Sequence, residues 1–119
     1  MEQEQEGARA RDQFAELPRP PYFAVIFSSR RKDNDSDSYE AASDHMLSLA
    51  KRVPGFLGME STRGVDGFGI TVSYWTSEDA ISTWKAQSEN SVIRERGRWL
   101  WYDHFEVRVA RVERAYGSH

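Results

Sequence analysis

The chain contains no cysteine. Disulfides, thiolate catalysis and zinc–thiolate sites are thereby excluded together, and the absence fits a reducing compartment. No apolar run approaches the roughly 20 residues of a membrane-spanning helix. The polar stretch 1–16 lacks the apolar centre of a secretory signal. Neither sign of charge dominates: 16 basic residues against 19 acidic ones leave a net charge of −3, without the basic excess of a non-specific nucleic-acid binder. Proline is scarce, with four residues, and three of these stand together at Pro18, Pro20 and Pro21. A cytoplasmic protein with neither nucleic-acid nor membrane partners is expected.

What is present is aromatic. Four Trp, five Tyr and six Phe occur in 119 residues, and that length suits one domain with a core of its own. Residues 1–20 are polar apart from Phe14 and Leu17 and end in prolines, which predicts a flexible tail. The folded domain is then expected over residues 21–117.

Residues 22–27 (YFAVIF) form an unbroken apolar run, short and rich in aromatic and β-branched types, which predicts a central strand buried on both faces. Asp37 and Glu40 have capping-box spacing. Tyr39, Ala42, Met46, Leu49, Ala50 and Val53 follow as one helical stripe, ended by Pro54-Gly55. Residues 56–63 and 68–75 read as strands joined by a tight turn at 64–67 (GVDG). In the second of these, Ile70, Val72 and Tyr74 alternate with Thr71, Ser73 and Trp75, and the apolar set is expected to meet the helices. Thr76 or Ser77 should cap a second helix, with Ala80, Ile81 and Trp84 on its buried side. A break at 88–91 and a short helix over 92–98 come next. A long strand over 102–115 closes the domain. Its apolar phase shifts from Phe105, Val107 and Val109 to Ala110 and Val112, which predicts a bulge or a change of packing partner.

The order strand, helix, strand, strand, helix, strand gives an α+β ferredoxin-like βαββαβ sheet, with its first and third strands central and both helices on one face. The uncovered face calls for a second copy of the chain, so a homodimer formed through the sheet faces is expected.

Few residues suggest chemistry. No Gly-rich phosphate loop, clustered metal-ligand motif or Ser-His-Asp pattern is present, so neither a metal nor another cofactor is expected. His104, on the polar phase of the last strand, is the candidate base, because a neutral imidazole can take a proton from a phenol near pH 7. Arg94 is the candidate stabiliser of an anionic substrate or oxygen adduct. Trp84, Trp75, Phe27 and Tyr74 are candidate walls of an apolar site. His45, beside the first helical stripe, reads as a boundary residue.

Three pieces of the sequence resemble a known family: PGFLGMES after the first helix, GFGITVSYWTSEDAISTWKAQSENSVIRERGR, and WYDHFEVRVARVERAYG. In this order and spacing they are similar to the antibiotic biosynthesis monooxygenase-like domain, over about residues 21–117. The resemblance implies a dimeric α+β barrel. It also implies one of two activities, cofactor-independent oxygenation of aromatic compounds or oxygen-dependent haem degradation. Haem-degrading members pair a first-strand Asn with a Trp and a His in the second-helix region. Trp84 matches that Trp, but the first strand offers Phe27, Ser28 and Ser29, and the stretch after Trp84 offers Gln87, Asn90 and Arg94. An amide or guanidinium is a poor axial ligand for haem iron. The expected function is therefore cofactor-independent oxygenation of a small aromatic phenol or quinol. A non-catalytic dimeric ligand-binding protein and a haem-degrading monooxygenase are the alternatives.

Overall fold

A computed structural model describes residues 13–32, 47–89 and 102–118. Four strands form one antiparallel sheet: β1 (Tyr22–Arg31), β2 (Phe56–Arg63), β3 (Phe68–Trp75) and β4 (Tyr102–Val112). Their order across the sheet is β2-β3-β1-β4, so β1 and β3 are central as expected. The apolar run at 22–27 is the inner part of β1. The strand continues to Arg31 because its ladder with β3 extends to Arg30↔Phe68, and Arg31 N–H donates to Gly67 O at 2.9 Å.

Two helices are described, α1 over residues 47–52 and α2 over Glu78–Glu89. Ala50 and Val53 at the end of α1, and Ala80 and Ile81 of α2, share one buried cluster with Val25 and Trp75, so both helices cover the same face of the sheet. This is the ferredoxin-like α+β fold. Ser77 caps α2, its Oγ accepting from Ala80 N–H at 3.1 Å, and Glu78 and Asp79 complement the helix dipole in the first turn. Gly55 joins the two halves at φ 103°, and a Cβ there would lie 2.6 Å from Thr76 Oγ1 and 2.8 Å from Ala80 Cβ. Only glycine meets both demands. The capping box at Asp37 and Glu40, the stripe residues Tyr39, Ala42 and Met46, and the short helix over 92–98 lie outside the described residues.

The register sorts side chains between the faces. Phe23, Val25, Phe27 and Ser29 of β1 look toward the helices, level with Trp75, Ser73, Thr71 and Gly69 of β3 and with Arg111, Val109, Val107 and Phe105 of β4. Tyr22, Ala24, Ile26, Ser28 and Arg30 look the other way, as do Tyr74, Val72 and Ile70.

This corrects one sequence expectation and decides between the two alternatives of another. Ile70, Val72 and Tyr74 lie on the open face; Thr71, Ser73 and Trp75 lie on the helix side, where Trp75 joins the core. Pairing of β4 with β1 also runs unbroken from Val112 to His104, with no bulge where the apolar phase changes. The irregularity lies at the other end, opposite Arg30 and Arg31. Phe105, Val107 and Val109 serve the helix face, whereas Val112 serves the open face beside the buried Tyr22. Among the described residues no helix is long and apolar enough to cross a membrane.

Candidate active site

The helix-facing side of the sheet has two parts. At the end formed by Phe23, Phe56 and Trp75 it is closed core. Trp75 is 0% exposed, its indole N–H donates to Ser73 Oγ at 2.9 Å, and its ring meets Phe56 edge-on at 5.2 Å between centroids. Trp84 of α2 lies against Trp75, with centroids 5.3 Å apart and planes tilted by 33°. The α2 spacing of Ala80, Ile81 and Trp84 brings these three down on the sheet together.

Toward the hairpin end the same side changes character. Phe27 and Phe105, from neighbouring strands and offset by two residues, stack with centroids 5.5 Å apart and an interplanar angle of 26°. Thr71 stands across from Phe27, and Ser61 lies beyond it. One row further on are Ser29, Gly69 and Arg63. The Ser29 side chain is almost wholly buried, and its hydroxyl accepts from Arg63 Nη2 at 2.8 Å. Arg63 Nη1 donates to the carbonyls of Gly67 and, at 3.5 Å, of Ser29. These bonds hold a guanidinium on the face that carries the Phe27–Phe105 stack.

Of the sequence-derived candidates, Trp84, Trp75 and Phe27 therefore share one face, with Trp75 committed to the closed core. Tyr74 does not join them. Its phenol points to the open face and donates to Glu60 Oε1 at 2.6 Å, and its ring meets Tyr22 edge-on at 5.8 Å. Desolvation, and then the hydrogen bond to the Glu60 carboxylate and its negative charge, push the phenol well above its ordinary value of 10.0. His104 is also on the open face, opposite Arg30, with its side chain 74% exposed and Nε2 3.7 Å from Glu106 Oε2. The strand alternation that makes His104 polar also turns it away from Phe27 and Trp84. Arg94 and His45 lie outside the described residues.

Phe105 and Arg63 were missed by sequence reasoning. Phe105 carried a usable signal, since it opens the alternation with Val107 and Val109. Arg63 carried none, because a charged residue beside a hairpin reads as solvated. No group of three potential metal-ligating side chains occurs among the described residues. What the arrangement offers is the aromatic surface of a stacked pair, hydroxyls and a hydrogen-bonded guanidinium. Such a surface suits a planar ring with an anionic edge.

Comparison with known proteins agrees with the fold. The YqjZ protein of Bacillus subtilis (strain 168), which is uncharacterised, is 50% identical over 103 residues, covering 87% of this chain and 90% of its own length. Among solved structures, the fold is shared with SnoaB, a cofactor-independent oxygenase from Streptomyces nogalater. That match has a TM-score of 0.70 at 16% identity, over 83% of this chain and all of SnoaB. A dimeric ferredoxin-like protein of unknown function from Thermobifida fusca matches with a TM-score of 0.63 at 9% identity, over 83% of this chain and 99% of that one. Residues 21–96 match the family model described as antibiotic biosynthesis monooxygenase, and the chain belongs to that family.

Proposed function

We propose that the chain is a homodimeric, cytoplasmic monooxygenase that oxygenates a small electron-rich phenol or quinol on the helix-facing side of its sheet, without metal or flavin. The observation that carries this reading is the Phe27–Phe105 stack, with Trp84 and Arg63 on the same face. The substrate ring lies against Phe27 and Phe105, Trp84 bounds it, and its oxygen points to Arg63. An apolar wall alone would disfavour a phenolate, so a fixed guanidinium is needed to favour the charged form. Arg94 is retained as a second cation for the same task.

The chemistry balances with dioxygen as the one co-reactant. The phenol first loses its proton to water. The phenolate then gives one electron to dioxygen, the two radicals join at a ring carbon that bears hydrogen, ortho or para to that oxygen, and the resulting peroxide takes a proton back. Loss of water leaves a quinone. One oxygen atom enters the product, the other leaves as water, and the substrate supplies all four electrons. The protein's share is to bind and orient the ring and to stabilise the anion.

Purified protein is tested against a panel of phenols, hydroquinones and haem, with oxygen uptake and absorbance followed together. Protein-dependent uptake of one dioxygen for each quinone formed, with one of its oxygen atoms in the product and no hydrogen peroxide released, is the expected result. Ligands that raise the melting temperature without any uptake would establish a binding protein instead. A Soret band that decays under oxygen would establish haem degradation.

A further inference from the structure

We propose that residues 13–21 form a strap across one end of the open sheet face, and that Phe14 on this strap is an anchor for a second copy of the chain. The inference rests on the homodimer of the preceding section.

The strap is pinned, not loose. Ala15 N–H donates to Glu60 Oε2 at 3.1 Å, and the other oxygen of the same carboxylate accepts from Tyr74 Oη. One side chain of β2 thus holds both the strap and a residue of the central strand β3. Beneath the crossing point β2 carries Gly58, where a Cβ would stand 3.1 Å from Ala15 Cβ, so any side chain there would press on the strap. Gly58, Tyr74, Ala24 and Ala110 form one row across the sheet. In and beside that row Ala24 and Tyr22 are only 4% and 5% exposed, although they face away from both helices.

Phe14 is the anomaly. Its neighbour is tied to the sheet, yet Phe14 itself is 70% exposed. A pinned segment that leaves a phenyl ring exposed, on a sheet face whose Phe68 and Ile70 are also exposed further along, presents apolar surface for another body to cover. A second copy is the occupant that fits. A two-fold interface uses the same patch on both partners, so a ring that projects from one sheet face meets the equivalent face of the other. The ferredoxin-like protein from Thermobifida fusca, which shares this fold, is dimeric.

Sedimentation velocity over a dilution series tests this on the full-length chain, on Phe14→Ala, and on a variant lacking residues 1–20. Phe14 is exposed in the single chain, so its replacement leaves the circular dichroism spectrum unchanged. The expected result is a dimer dissociation constant raised by about tenfold or more in Phe14→Ala, as for a buried aromatic anchor, and at least as much in the truncated chain. An unchanged constant in Phe14→Ala, with the parent chain dimeric, overturns the anchor alone. A tighter dimer in the truncated chain overturns it too, since the strap would then compete with the second copy. A parent chain that is monomeric at every concentration overturns the homodimer, and the strap proposal with it.

Discussion

Tyr74 and Trp75 are neighbours in the chain and serve opposite faces of the sheet. Trp75 is fully enclosed beneath the helices and satisfied by Ser73, whereas Tyr74 bonds Glu60 on the open side. One strand terminus therefore fixes both the helix-side core and the surface on which the N-terminal strap lies. The two residues should fail in different ways when changed.

Trp75→Ala removes the ring between Phe56 and Trp84 and leaves a cavity in the closed core. A loss of about 3–5 kcal/mol is expected, as for large-to-small changes of buried aromatics. Urea unfolding followed by circular dichroism measures it. A loss below about 1 kcal/mol would contradict the closed core described for this end of the sheet.

Tyr74→Phe keeps the ring and removes the bond to the Glu60 carboxylate. A loss of about 1–2 kcal/mol is expected at neutral pH. The pH dependence has a definite sign. Because the folded-state phenol is raised above its ordinary value of 10.0, the unfolded chain releases its proton first. The stabilisation is full below that value and falls as pH rises beyond it. The stability difference between parent and Tyr74→Phe should therefore shrink in strong alkali. A difference that grows there would reverse the assignment.

Gly55→Ala should destabilise by at least about 1–2 kcal/mol, since a positive φ is costly for an L side chain, and the added methyl would also meet Thr76 and Ala80. Gly117→Ala is the control, having nothing within 4 Å. Thermal unfolding compares the two.

Much of this fold is legible in the residues. The unbroken run of β1, the GVDG turn and the Ser77 cap each state a local preference that the tertiary structure keeps. The face of β3 was not legible. Alternation shows that Thr71, Ser73 and Trp75 oppose Ile70, Val72 and Tyr74, but not which set meets the helices. Hydropathy selects the wrong set, because Trp75 alone of β3 enters the helix-side core, with Ser73 as its hydrogen-bond partner, while the open face keeps apolar residues of its own. The site suffered from the same ambiguity. Phe27 and Trp84 were visible as aromatics at element positions. Their relation to Phe105 and Arg63 depends on strand order and register, which no local pattern encodes.

The central claim is that the working face is the one bearing Phe27 and Phe105, and the most direct test compares Phe27→Ala with His104→Ala. Oxygen uptake with the best hydroquinone substrate is measured for both, alongside the parent chain. Phe27→Ala should lose at least about tenfold, the scale on which a misplaced substrate loses reactivity. His104→Ala, on the exposed opposite face, should stay within about twofold of the parent. Loss of uptake in His104→Ala with Phe27→Ala unaffected would place the chemistry on the other side of the sheet and contradict the account.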